Sequence, residues 1–144
     1  PGHTKGHIAY YFEKENIVFT GDTLFSLGCG RLFEGTYLDM FNSLNKLKNL
    51  PNKTKVYCGH EYTKMNLDFC IKYDHKNSLL KEKKINVESK INSSQPTVPT
   101  TIDEEIKMNI FLRCDNPSVK QALNLKDSSE EEVFIKLREL KDAF

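Results

Sequence analysis

Three polar side chains in this sequence stand where a divalent cation could be held. His3 lies in Pro1–Gly2–His3–Thr4–Lys5–Gly6–His7, Asp22 in Phe19–Thr20–Gly21–Asp22–Thr23, and His60 in Tyr57–Cys58–Gly59–His60–Glu61. Asp22 and His60 each follow an apolar, strand-like run and a glycine; His3 sits in a glycine-flanked loop ahead of the first such run. Glycine lets the backbone turn sharply where a polar side chain must project from a sheet edge. Ligands gathered from strand ends form a rigid, concave site. Two imidazoles and one carboxylate suit a borderline cation such as zinc or iron. Each segment alone also has a plain structural reading, the His as a hydrogen-bonded residue and the Asp as a turn or helix cap. It is the three together that point to a metal.

The elements that must position these groups are legible in outline. Ile8–Phe12 and Ile17–Thr20 are β-branched and aromatic runs separated by Glu13–Asn16, which predicts a hairpin. Gly21, Gly28, Gly30 and Gly35 punctuate the next stretch, so Asp22 to Gly35 is expected to be a shaped loop. Thr36 with Asp39 opens a helix whose apolar stripe is Met40, Leu44 and Leu47, closed by Pro51 and Asn52. Lys55–Cys58 reads as a short strand. From Tyr62 the period becomes helical through Lys90, with Leu67, Cys70, Ile71, Leu79 and Leu80 on the apolar positions. Asn92 to Thr101 is a connector in which Pro96 and Pro99 favour extended backbone. Thr101 with Glu104 starts a helix to about Phe111. Asp127 to Glu132 starts the last helix, with Val133, Leu137 and Leu140 on one face. A β-rich part followed by helices implies an α/β or α+β unit continued by a helical domain.

Composition excludes several classes. The 144 residues are 38% hydrophobic and 28% charged, with a net charge of +1, so neither disorder nor a nucleic-acid or membrane-surface footprint is indicated. The longest apolar runs, such as Ile8 to Phe12, fall far short of the roughly 20 residues a bilayer span needs. Four cysteines at 29, 58, 70 and 114 form no C-x-x-C pair and read as reduced thiols, Cys58 as a packed one. The first residue is Pro1, already inside the first loaded motif, which leads to the expectation that this is the back part of a longer protein.

Four motifs together closely resemble one family: Pro-Gly-His-Thr-Lys-Gly-His, Phe-Thr-Gly-Asp-Thr-Leu-Phe, Gly-Cys-Gly-Arg-Leu-Phe-Glu-Gly-Thr and Val-Tyr-Cys-Gly-His-Glu-Tyr-Thr. That family is the hydroxyacylglutathione hydrolases, or glyoxalase II, of the metallo-β-lactamase superfamily. The first two motifs are widespread in the superfamily; the last two are more specific to the glutathione thioesterases. The likeness continues through Pro96–Pro99, Phe111–Arg113 and Arg138–Phe144 and so covers the whole chain.

The resemblance implies an α/β fold, the C-terminal part of a metallo-β-lactamase αββα sandwich over residues 1–62 and a helical substrate-binding domain over 63–144. It implies two divalent metal ions, zinc with iron or manganese as substitutes, with His3 on one, His60 on the other and Asp22 bridging both. A hydroxide between the metals would attack the thioester of S-lactoylglutathione, giving D-lactate and glutathione in the second step of methylglyoxal detoxification. Arg31, His60, Tyr62, Arg138 and Lys141 are the implied substrate-binding residues, the cations meeting the carboxylates of glutathione. Arg138 and Lys141, three apart, share a helical face; a solvated cationic helix end is the plain alternative. His7 is expected to make a structural hydrogen bond, His75 to be a surface residue, and Glu61 to support the metal ligands or start a helix. The implied partner is a small-molecule thioester, with no nucleic acid and no membrane, in a cytoplasmic monomer when full-length; organelle targeting stays open.

The chain departs from the family in three respects. The motif Thr-His-x-His-x-Asp-His is not in it, so the metals are only partly liganded and the isolated chain is expected to be inactive. Phe33 stands where the family often has Tyr, and Ile110 where Pro usually precedes the Phe. Half a sandwich should also leave a sheet face open. Two other readings remain beside the thioesterase: another glutathione-linked enzyme of the fold, such as a mono-iron persulfide dioxygenase, and a non-catalytic glutathione- or partner-binding domain.

Overall fold

A computed structural model describes residues 1–144. Its first sheet grows from the hydrophobic alternation of the Ile17 run. β1 (Tyr10–Phe12) and β2 (Ile17–Gly21) pair antiparallel across the Glu13–Asn16 turn, the hairpin the sequence predicts. β3 (Leu24–Phe25) and β4 (Gly28–Cys29) form a separate two-stranded hairpin inside the stretch expected to be irregular. α1 (Tyr37–Lys48) carries the chain to β5 (Lys55–Cys58), which lies parallel to β2. Thr36 accepts from Asp39 N–H and Asp39 accepts from Thr36 N–H, so the predicted start is a full capping box. Met40, Leu44 and Leu47 are its buried stripe, as the spacing requires.

The later segment is helical. α2 (Thr63–Tyr73) and α3 (Leu79–Asn92) fill the stretch expected to be helical, with a break between them. The break is made by Asp74, whose buried carboxylate accepts from Arg113 Nε at 2.8 Å and from Asn77, drawing the chain out of helical geometry. β6 (Thr100–Thr101) follows the connector and pairs antiparallel with β5, so the sheet order is β1-β2-β5-β6. α4 (Ile102–Met108), capped by Thr101, stops short of the predicted Phe111 because Asn109 leaves the helix and caps a 3-10 turn over Ile110–Leu112. α5 (Pro117–Ala122) was not foreseen, although Asn116 followed by Pro117 is a good start signal. α6 (Glu130–Asp142) begins at a Ser129–Glu132 capping box. The molecule is thus α/β, a mixed sheet followed by helices.

One cluster of 23 buried apolar residues runs through both segments, from Val18, Leu24, Leu27 and Met40 to Phe69, Phe111, Phe134 and Leu137. Helices α1, α4 and α6 pack together on it. Val18, Thr20 and Val56 point into this core, whereas the alternate residues of the same strands face away. On that open face Phe12 meets Phe19 edge-on at 6.0 Å and Phe19 stacks on Tyr57 at 5.3 Å, with Tyr10 beside them. Cys29, Cys70 and Cys114 are buried, but Cys58 is only half-buried, its thiol directed at the His60 carbonyl at the end of β5. No helix is long and apolar enough to cross a membrane.

Candidate metal centre and cleft

The three residues singled out first converge. Asp22 follows β2, His60 follows β5, and the parallel pairing of the two strands brings their C-terminal ends side by side. His3 reaches the same point from the N-terminal loop. One oxygen, Asp22 Oδ2, lies 3.4 Å from His3 Nε2 and 3.4 Å from His60 Nε2. Glycine is needed at the crossing: a Cβ on Gly59 would collide with Asp22 Oδ1, and Gly21 has φ +52 with His7 where a side chain would go.

The remaining ring nitrogens and backbone groups fix these side chains. His3 Nδ1 donates to the Arg31 carbonyl at 2.7 Å. A carbonyl can only accept, so Nδ1 carries hydrogen and Nε2 is left to face Asp22, the arrangement typical of a metal-ligating imidazole. Asp22 N–H donates to His7 Nε2 at 2.9 Å, which gives His7 the structural role expected of it. His60 stacks on Tyr62, ring centroids 4.8 Å apart, and tilts against Phe25 at 6.1 Å. Glu61 caps no helix and instead braces the loop that carries His60. Its carboxylate accepts from Thr97 N–H and Val98 N–H and from the Thr97 hydroxyl, tying the connector to the His60 loop. His75 is exposed.

The donor set can be tested against a cation. At 3.4 Å the His–Asp separations are longer than an ordinary N–H···O bond. They match the edge, about 3.4 Å, of a tetrahedron with ligand arms of about 2.0–2.1 Å, the lengths zinc takes with nitrogen and oxygen. Donor type and spacing therefore fit. Donor number does not complete a shell, since no set of three or more His, Cys, Asp or Glu side chains is arranged to hold an ion by itself.

All seven of the sequence-derived site residues line one cleft of about 510 Å³, which places His3, Asp22 and His60 at one side and Arg31, Tyr62, Arg138 and Lys141 around the rest. That volume is within the usual range for a small-molecule site. Arg138 is buried: Nη1 donates to the Cys29 carbonyl at 2.9 Å, Nη2 to Asp142 Oδ1 at 2.9 Å, and its plane lies over Phe111. Lys141 Nζ lies 5.3 Å from the Phe69 ring centroid and 5.0 Å from that of Phe144, and burial, then the nearby Arg138, lowers its pKa. Arg31 is open to solvent and its Nε donates to Asp142 Oδ1 at 3.2 Å. Asp142, which the sequence reading passed over, thus holds both guanidinium groups. Its only sequence signal is its place one turn after Arg138.

Comparison with known proteins shows the family to which the chain belongs. Residues 61–144 match the family model described as hydroxyacylglutathione hydrolase C-terminus, and residues 1–60 that of the metallo-beta-lactamase superfamily. The chain is 56% identical over 144 residues to a hydroxyacylglutathione hydrolase of Pelagibacter ubique (strain HTCC1062), all of this chain aligning with 54% of the relative. It is 49% identical to the protein of that name from Chelativorans sp. (strain BNC1), covering 56% of it. The chain therefore spans about half the length of the curated relatives it matches. Among solved structures, ETHE1 from Myxococcus xanthus superposes with a TM-score of 0.56 at 27% identity, over 96% of this chain and 42% of that one. The BLEG-1 B3 metallo-beta-lactamase does so with a TM-score of 0.50 at 29% identity, over 78% of this chain and 38% of that one.

Proposed function

Because the chain belongs to the hydroxyacylglutathione hydrolase family and its first 60 residues to the metallo-beta-lactamase superfamily, we propose that its cleft is the catalytic site of a glutathione-thioester hydrolase. The proposed substrate is S-lactoylglutathione, cleaved to D-lactate and glutathione in the second step of methylglyoxal detoxification. The observation that carries the reading is the single Asp22 oxygen set 3.4 Å from two imidazoles, in the same cleft as the cationic residues Arg31 and Lys141.

In this reading His3 and Asp22 would hold one divalent cation, and Asp22 and His60 a second. When bound, such ions lower the pKa of water toward neutrality and polarise a carbonyl oxygen. Zinc, iron and manganese all accept this donor set. The chain's own residues do the rest. Arg31 presents an exposed guanidinium to a glutathione carboxylate, and Lys141 offers a second cation whose burial strengthens its pull on an anion. Tyr62 and Phe25 pack on His60 and wall the site on that side. Arg138 acts from beneath, holding Cys29 and Asp142 in place under Arg31. The thiolate of glutathione is a good leaving group, so no separate general acid is required.

Two protein donors per ion are fewer than the three or more a catalytic zinc site uses. The 144-residue chain alone is accordingly proposed to bind cations weakly and to be inactive, the activity belonging to a longer parent. The four free thiols support a reducing, cytoplasmic setting. The test is metal analysis of the full-length parent together with S-lactoylglutathione hydrolysis. Two metal ions and thioester turnover are expected. One iron with oxygen consumption, or no metal and no turnover, would overturn the reading.

A further inference from the structure

The turn between β3 and β4 lies beside the cleft and is held almost wholly by side chains from far along the chain. Leu27 is fully buried and has φ 61, a left-handed conformation unusual for a leucine. Its N–H donates to Glu105 Oε2 at 2.8 Å, and its carbonyl faces the Cys70 thiol. Asn66 donates to the Ser26 carbonyl, and Asn109 donates to the Gly28 carbonyl and to the same Glu105 Oε2. Glu105 has no solvent exposure, and nothing in the proposed chemistry uses it. Two residues before Leu27, Phe25 packs on His60 and Tyr62 at 6.1 and 5.3 Å.

The other Glu105 oxygen enters a second chain. Thr100 Oγ1 lies 2.8 Å from Glu105 Oε1 and 2.8 Å from Glu104 Oε2. A hydroxyl has one proton to give. With Thr100 donating to one carboxyl group, the other must itself donate to Thr100. Glu104 is partly exposed and its Oε2 lies 3.2 Å from Lys83 Nζ, whereas Glu105 is wholly buried. The proton therefore belongs on Glu105, giving the order Glu105 to Thr100 to Glu104, with Lys83 of α3 beyond. Lys83 is the cation that faces Glu105; the thiols of Cys70 on α2 and Cys58 at the end of β5 are the other titratable groups around it.

We infer that Glu105 is a positioning residue for the cleft, its carboxyl group fixing the Leu27 turn and thereby the seat of Phe25 against His60 and Tyr62, in a way that depends on its proton. This rests on the reading of the cleft as the hydrolytic site. Burial raises the Glu105 pKa to about 7, so the two states exchange near neutrality. On ionisation the bond from Leu27 N–H becomes charge-assisted and shortens, and Glu105 Oε1 and Glu104 Oε2 compete for the single Thr100 proton.

The test is solution NMR on the 144-residue chain between about pH 5.5 and 8.5, following the Leu27 amide proton and the Phe25 ring. In the wild type both should move through one transition near neutral pH, the amide proton downfield as Glu105 ionises. Glu105→Gln keeps one acceptor oxygen for Leu27 and Asn109 and gives Thr100 an N–H, so it should hold the low-pH wild-type positions at every pH. Glu105→Ala should lower hydrogen-exchange protection at Leu27 by about tenfold or more relative to Val56 and Phe134. A Gln variant that titrates like the wild type would overturn the inference. So would an Ala variant that leaves Leu27 and Phe25 unchanged; if that variant does not fold, the Gln result decides. Neither measurement uses a cation or a thioester, so an absence of hydrolysis would count against the proposed function and leave this result standing.

Discussion

Arg138 Nη2 donates to Asp142 Oδ1 at 2.9 Å, one helical turn further along α6 and at the mouth of the cleft. The same oxygen accepts from Arg31, so one carboxylate orders a buried and an exposed guanidinium together. Replacing Asp142 with Ala leaves Arg138 buried without its charge partner. Asp142 is itself about one-third exposed, which softens the effect. A loss of about 1–3 kcal/mol is expected, measured by urea unfolding of the chain. Arg138→Ala should cost more, because it also removes the bond to the Cys29 carbonyl and the packing over Phe111.

Under the proposed function, catalytic and binding roles should separate in the full-length protein. Asp22→Ala removes the oxygen common to both imidazoles, so metal content and turnover should fall together. Lys141→Ala removes a charge remote from the reacting carbonyl. It should raise KM by about tenfold with kcat little changed, a loss of about 1.4 kcal/mol of binding. Steady-state kinetics with metal analysis checks both, and near-normal turnover by Asp22→Ala would contradict the bridging role.

Stability should depend on pH through Glu105. Its folded-state pKa, raised by burial to about 7, exceeds the 4.5 of a free glutamate. The folded state therefore binds the proton more tightly than the unfolded state. The stabilisation is complete below about pH 4.5 and is lost as pH rises through 7. Glu105→Gln should lack this decline and be the more stable of the two above neutrality, by a few kcal/mol at most. Urea midpoints from mildly acid to mildly alkaline pH give the comparison.

The outer face of the sheet should drive self-association. Exposed Phe12, Phe19 and Tyr10 form an aromatic row with the half-buried Tyr57 beside the open edge of β1. Light scattering of the 144-residue chain is expected to show concentration-dependent association, and Phe19→Lys to reduce it without lowering the unfolding midpoint. Wild-type chain that stays monomeric at high concentration would count against this.

The parts of the fold written into neighbouring residues were readable. Thr36 and Asp39 announce α1, the spacing of Met40, Leu44 and Leu47 names its buried face, and Gly21–Asp22 and Gly59–His60 mark the two strand ends that meet. What was not readable depends on distant partners. The β3–β4 hairpin has strands two residues long and a left-handed Leu27, neither of which leaves a periodic trace. The Leu27 bond to Glu105 spans 78 positions and the Arg31 bond to Asp142 spans 111, so the residues beside either carboxylate do not announce its partner. Asp74 ended α2 for the same reason, through Arg113. The motif resemblance supplied what local pattern could not, the expectation that Arg31, Tyr62, Arg138 and Lys141 share one cleft with His3, Asp22 and His60.

Glu61, next in sequence to His60, grips Thr97 and Val98. The stretch after α3 is therefore a guy-line to the loop that carries an imidazole, and it is anchored at both ends: Thr97 to Glu61, and Thr100 to β5. Insertions or deletions between these two anchor points would slacken or drag the His60 loop, so variation in length among relatives should gather before Gln95 and leave the four residues from Thr97 to Thr100 uninterrupted.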